Sequence, residues 1–156
     1  MFDLFKKKVN LQQIKIVAQN FARNSVPGDI YLLNGELGSG KTTFTRFFIN
    51  SIFEKNFIKK PYSIKSPSFP IMINYPLKNF EVFHYDLYRL INESELKELN
   101  INENLKKNIT LIEWPQLIIN SSQINNYFFI NLKIITPNER MIEITHTHNK
   151  NFNNEI

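Results

Sequence analysis

The sequence predicts an α/β fold, with a central, mostly parallel sheet, helices flanking it and antiparallel strands added at its margins. Three observations predict it. A short apolar run at residues 30–33 ends in a glycine-rich loop that opens into a helix, so strand, loop and helix follow without a linker. A second apolar run, residues 109–112, has the continuous apolar character of a strand buried on both faces. Residues 69–75 with 80–85, and 127–135 with 141–147, read as two further strand pairs around turn-forming segments.

Each element can be justified in order. Asn10-Leu11-Gln12-Gln13 reads as a capping box, because the Asn and Gln side chains can satisfy each other's free backbone amides, and Leu11, Ile14, Val17, Ala18, Phe21 and Ala22 then recur on one helical face. Pro27-Gly28-Asp29 ends that helix and Ile30-Tyr31-Leu32-Leu33 forms the first buried strand. Beyond the glycine loop a helix starts at about Thr42, with Phe44, Phe47, Phe48 and Ile52 on a shared face. Residues 59–68 form a loop rich in Lys, Ser and Pro, and the next two strands turn around Leu77-Lys78-Asn79. Asn92-Glu93-Ser94-Glu95 is a second capping box, opening a short helix through Leu96 and Leu99. The run 109–112 closes on Glu113-Trp114-Pro115, and a short helix is expected after the proline. The last strands join across Thr136-Pro137-Asn138-Glu139, and the tail from Asn149 reads as frayed. The expectation is one domain over 1–148.

Composition limits the function classes. A chain of 156 residues, 42% hydrophobic, 13% aromatic and 21% charged, is long enough for one core without disulfides or structural metal. It has no cysteine, which removes disulfides, cysteine-based zinc sites and a thiol nucleophile together. No apolar run approaches the length of a membrane span, nothing in the sequence reads as a targeting segment, and a cytoplasmic location is expected. The formal charge of +5 favours phosphates or an acidic partner. Its clusters at Lys6 to Lys8, Lys59-Lys60 and Lys106-Lys107 fall in expected tails and loops and read as solvated charge rather than a nucleic-acid surface.

The chemistry concentrates at Gly35-Glu36-Leu37-Gly38-Ser39-Gly40-Lys41-Thr42, which satisfies G-x-x-x-x-G-K-[ST] in full. Glycines let the backbone approach a phosphate with no Cβ in the way, so that successive N–H groups form an anion nest, to which the following helix adds its positive end. Lys41 is expected on the β- and γ-phosphates of ATP, the Thr42 hydroxyl on Mg²⁺, and Thr43 beside the α-phosphate. The fold class is therefore P-loop NTPase-like. Such a site needs a carboxylate near the metal, delivered by the end of a neighbouring strand. Residues 109–113 end in Glu113 and residues 82–86 end in Asp86, and both fit. His84 and Asp86, two apart on a strand, share a face. Trp114 suits either the core or an aromatic lid, and Ser66 and Ser68 suit either a plain turn or a phosphate-sensing segment. His146 and His148 read as strand-end residues.

Several blocks in one order resemble the TsaE family: Gly28-Asp29 ahead of the strand, GELGSGKTTFTR at residues 35–46, SPSF at 66–69, HYDLYRL at 84–90 and IEWP at 112–115. The similarity spans roughly residues 9–135, and the last two blocks are far more specific than a P-loop alone. It implies a small ATPase needed for threonylcarbamoyladenosine (t6A) at position 37 of tRNAs that read codons beginning with A, acting beside a threonylcarbamoyl transferase subunit and its paralogous companion, with tRNA contacted only indirectly. By the same resemblance Lys41 and the loop amides hold phosphates, Thr42 and Glu113 hold Mg²⁺, Asp86 and Lys41 serve hydrolysis, and residues 66–69 form a switch-like segment. Tyr88, Arg89 and Trp114 also match family positions. Three residues depart from the pattern: Ser68 stands for a common Thr, Ile14 for a Thr near the nucleotide base, and Asn100 for a Gly after the acidic helix. Two other functions share the P-loop. A small-molecule kinase needs clustered arginines, whereas Arg23, Arg46, Arg89 and Arg140 are scattered, and a GTP-dependent switch needs a guanine signature, which is absent.

Overall fold

In the computed structural model, which describes residues 1–121 and 124–148, one seven-stranded sheet runs through the molecule. The strands are β1 (Phe2–Asn10), β2 (Ile30–Asn34), β3 (Met72–Pro76), β4 (Glu81–Asp86), β5 (Ile109–Glu113), β6 (Phe128–Thr136) and β7 (Glu139–His146). Their order across the sheet is β1-β7-β6-β2-β5-β4-β3. The central strands β6, β2, β5 and β4 are parallel, while β3 at one edge and β7 and β1 at the other are antiparallel. The expected α/β fold, parallel at its centre and antiparallel at its margins, is the observed one.

The sheet is covered on both faces. On one lie α1 (Leu11–Asn24) and α2 (Lys41–Lys55), packed against each other. Helix α1 begins where the sequence expects it, with the Asn10 side chain accepting from the Gln13 amide at 3.0 Å and the Gln13 side chain accepting from the Asn10 amide at 2.9 Å. Ile14, Val17 and Phe21 of α1 and Phe44, Phe48 and Ile52 of α2 bury their side chains with Tyr31, Leu33, Leu111 and Phe128 of the sheet. The Tyr31 and Phe128 rings stack in parallel, 4.8 Å apart, on the neighbouring strands β2 and β6. On the other face three short helices, α3 (Glu93–Glu98), α4 (Ile101–Leu105) and α5 (Gln116–Asn120), close over Ile30, Leu32, Phe83, Tyr85 and Ile112. Strand β2 is apolar from Ile30 to Leu33 because alternate residues serve both cores. No helix among the described residues is long and apolar enough to cross a membrane.

The fold departs from the sequence reading at four places. Lys6 to Lys8, expected in a tail, lie on β1, whose backbone pairs with β7 while Lys6 and Lys8 reach Glu143 at 3.1 Å and Glu139 at 2.8 Å. An edge strand exposed along most of its length carries no apolar alternation to betray it. Strand β3 starts three residues later than expected, because Ile71 donates its amide to Pro67 O at 2.6 Å and turns the chain through a φ of +79°. Helix α4 was not foreseen; it follows Asn100 at a φ of +47°, a left-handed position that asparagine tolerates and that suits the glycine common there. The last strand pair is joined more tightly, with Thr136 opposite Glu139. The expected frayed tail from Asn149 lies outside the described residues.

Leu33 is fully buried and leads directly into the glycine loop, between Glu113 of β5 and Ile130 of β6. Leu33→Ala should cost about 3 kcal/mol through the cavity it leaves, read as a lower urea midpoint with an unchanged slope.

Candidate functional site

The loop between β2 and α2 takes its shape from glycine. Gly35, Gly38 and Gly40 have φ of +147°, +77° and +111°. A Cβ on Gly35 would stand 2.3 Å from the Leu132 carbonyl oxygen and 2.5 Å from Ser39 Oγ, so only glycine fits where the loop leaves the sheet. Gly40 is the N-cap of α2, and the helix's first turn opens onto a cavity of about 440 Å³. Of the residues singled out in the sequence, Leu37, Gly38, Gly40, Lys41, Thr42, Thr43, Ser66, Ser68, Asp86, Tyr88, Arg89, Glu113 and Trp114 all line it. Gly35, Glu36 and Ser39 shape the loop without lining this cavity.

Strand register sets the acids. Glu113 pairs with Leu33 of β2 on one side and with Asp86 of β4 on the other, so the two strand-end carboxylates are direct neighbours at the mouth of the glycine loop. Both are buried. Glu113 Oε2 accepts from Thr42 Oγ1 at 3.0 Å and Oε1 accepts from His84 Nε2 at 2.8 Å. His84 is itself fully buried, and no side chain among the described residues contacts its Nδ1 by a hydrogen bond. Asp86 Oδ1 accepts from the Tyr88 amide at 3.1 Å, and Oδ2 accepts from Ser66 Oγ. Ser66 thereby ties the 59–68 loop to the end of β4.

Lys41 does not reach across the cavity. Its Nζ donates to the Gly35 and Glu36 carbonyls at 2.7 and 2.9 Å and lies 3.9 Å from the centre of the Trp114 ring. Burial pushes its ammonium below the ordinary lysine value, against the opposing pull of Glu113, Asp86 and Glu36. Trp114 takes a left-handed φ of +59°, with its amide donating to Leu33 O at 3.2 Å, and its ring packs on Tyr88 at 4.7 Å. Trp114 is therefore the aromatic cover of the lysine rather than part of either core. Arg89, which also lines the cavity, sits 5.7 Å over the Phe69 ring.

Two features escaped the sequence reading. His84 does share a face with Asp86, yet its hydrogen bond runs across the sheet to Glu113, a pairing that only strand order reveals. Arg140, counted there among scattered arginines, donates to the Ser39 and Gly38 carbonyls at 3.1 and 3.3 Å. No motif marks a residue that acts on backbone oxygens a hundred positions away. Arg140 also lines a second cavity, of about 410 Å³, with Asn10, Leu11, Gln12, Ile14, Pro137 and Asn138, and this cavity shares Gly38, Gly40 and Thr43 with the first. His146 and His148 are far from this chemistry: His146 is buried against Phe128, and its Nδ1 lies 2.8 Å from His148 O. Among the described residues no three His, Asp or Glu side chains form a ready metal cluster.

Gly35→Ala should destabilise the protein by about 2 kcal/mol or more, because its Cβ meets backbone that cannot yield. Gly38→Ala, where a Cβ has nothing within 4 Å, should lose only about 1 kcal/mol from its left-handed backbone. Urea unfolding of the two variants side by side measures the difference.

A family model described as threonylcarbamoyl adenosine biosynthesis protein TsaE matches residues 9–148. The tRNA threonylcarbamoyladenosine biosynthesis protein TsaE of Rickettsia typhi is 41% identical over 133 residues, which are 85% of this chain and 88% of that protein. The protein of the same name from Bacillus subtilis is 34% identical over 119 residues, covering 76% of this chain and 70% of its own. The crystal structure of Bacillus subtilis YdiB superposes with a TM-score of 0.72 at 27% identity, over 95% of this chain and 89% of that one. With a P-loop NTPase-like fold and a matching family model over nearly its whole length, the chain belongs to the TsaE family.

Proposed function

We propose that this protein binds ATP with Mg²⁺ and hydrolyses it in support of tRNA threonylcarbamoyladenosine synthesis, by acting on the threonylcarbamoyl transferase subunit and its paralogous companion. The observation that carries the reading is the 3.0 Å hydrogen bond between Thr42, the last residue of the glycine-loop motif, and the buried carboxylate Glu113. A hydroxyl and a carboxylate side by side at a helix N-terminus are the hard oxygen donors that Mg²⁺ favours, with phosphate and water completing its shell. His84 occupies the other Glu113 oxygen, which fixes the carboxylate toward Thr42. Bound there, Mg²⁺ would neutralise charge on the phosphates.

The remaining roles follow from position. The loop amides and the start of α2 receive the phosphates, and Lys41 exchanges the Gly35 and Glu36 carbonyls for phosphate oxygens. The second cavity, continuous with the loop through Gly38, Gly40 and Thr43, takes the nucleoside, with Ile14 and Leu11 offering apolar surface to the base. Asp86, beside Glu113 on the neighbouring strand, orients the attacking water, and Ser66 must release it for that to happen. Ser66 and Ser68 thus belong to a segment that senses the terminal phosphate, and Tyr88, Arg89 and Trp114 form the side of the site that faces a partner. A kinase reading lacks its clamp, because Arg89 is the single arginine lining the phosphate cavity among the described residues.

Asp86→Asn keeps the shape and removes the charge. It should lower kcat for ATP hydrolysis by roughly 10²-fold or more while ATP affinity is retained or improved. The same variant as the sole copy in cells should leave tRNA deficient in t6A. Full hydrolysis with weakened Mg²⁺ dependence would exchange the roles of Asp86 and Glu113, and normal t6A without hydrolysis would mean that binding suffices.

A further inference from the structure

We propose that Arg140 is a positioning residue for the nucleotide, holding the phosphate loop in its anion-binding shape from the wall of the second cavity. This rests on the reading of the loop as a phosphate site. Arg140 stands at the start of β7, paired with Val9 of β1 on one side and Ile134 of β6 on the other, so its backbone is fixed within three hydrogen-bonded strands. From that base its Nε donates to Ser39 O at 3.1 Å and its Nη2 to Gly38 O at 3.3 Å. Its Nη1 donates to the Thr136, Glu139 and Pro137 carbonyls at 2.8, 3.0 and 3.3 Å, which locks the β6–β7 turn onto the same guanidinium. One planar fork therefore joins two loops, a geometry that a lysine's single point of charge does not reproduce.

The loop needs this support where Arg140 gives it. At Gly38 and Gly40 nothing lies within 4 Å of where a Cβ would stand, so no side-chain packing braces the turn at these two positions. Across a trans peptide the C=O and the next N–H point in opposite directions. By drawing the Ser39 carbonyl outward, Arg140 turns the Gly40 amide to the opposite side. By drawing the Gly38 carbonyl outward, it leaves the Ser39 amide to fold back on Glu36 O, at 3.1 Å. The charge also faces only carbonyl oxygens, with no ion pair to a carboxylate among the described residues, so its field adds to the potential of the anion site.

The test compares Arg140→Ala, Arg140→Lys and a control on the same turn, Glu139→Gln, which removes the ion pair to Lys8 without touching the loop. Amide hydrogen exchange is followed by mass spectrometry in the nucleotide-free protein, and Mg-ATP affinity by calorimetry. Arg140→Ala should speed exchange in the peptide covering residues 36–43 and raise the Kd for Mg-ATP by about tenfold. Arg140→Lys should fall between it and the wild type, and Glu139→Gln should change neither quantity. Should Arg140→Ala fail to fold, the lysine variant alone carries the test, with a smaller shift in the same direction. Unchanged exchange in residues 36–43, or faster exchange with unchanged affinity, overturns the proposal. Failure of the wild-type protein to bind Mg-ATP would instead remove the phosphate-site reading, and the exchange data would still decide whether Arg140 holds the loop.

Discussion

A carboxylate taken out of water costs several kcal/mol unless hydrogen bonds replace the solvent it loses. Glu113 is 2% exposed and has such replacements from two directions, Thr42 at the head of α2 and His84 on the neighbouring strand β4. Because those donors come from different elements, the one carboxylate ties strand β5, strand β4 and the glycine-loop helix to a common point. Much of the local architecture can be read as what keeps that point in place: the buried apolar run of β2 beside it, the fully buried His84, and the sharp left-handed turn at Trp114 that immediately follows. A buried acid with one oxygen occupied by histidine and the other facing a hydroxyl joins three elements and, with that hydroxyl, sets two oxygen donors side by side. Those donors are of the kind that the proposed Mg²⁺ site requires.

Around that point the site holds its reactive groups in internal contacts. Lys41 is satisfied by the loop's own carbonyls and covered by Trp114, and Asp86 is occupied by Ser66. In the proposed function, a bound phosphate would compete for the first set of contacts, and Ser66 would have to release the second. The side chains that cover the site, Tyr88 stacked on Trp114 and Arg89 lying over Phe69, are held by ring contacts rather than by burial in either core. Exposed Leu37, Phe69 and Ile91 lie in the same loops.

The sequence carried the elements that depend on local chemistry. The Asn10–Gln13 cap, the glycine loop, the apolar runs of β2 and β5 and the cap at Asn92 each appear where pattern and spacing place them. Most of the residues grouped by motif and resemblance line one cavity for the same reason, since each sits at a strand end, in a loop or at the start of α2, whose positions a parallel sheet dictates. What was not legible depends on pairing across long separations. Edge strand β1 has a lysine-rich pattern that solvent permits on both faces, so nothing local distinguishes it from a tail. The adjacency of Asp86 and Glu113 and the reach of His84 follow from β4 lying beside β5, and Arg140 acts on backbone oxygens that no side-chain pattern reports.

The central claim is that Glu113, placed by register beside Thr42, makes this a metal-dependent nucleotide site. Calorimetric titration of ATP into the wild type and Glu113→Ala, each with and without Mg²⁺, tests it most directly. The account predicts that the wild type binds ATP more tightly with Mg²⁺, and that the variant loses most of this gain while its binding in the absence of Mg²⁺ changes little. Equal losses with and without the ion, or a wild type indifferent to Mg²⁺, would contradict it.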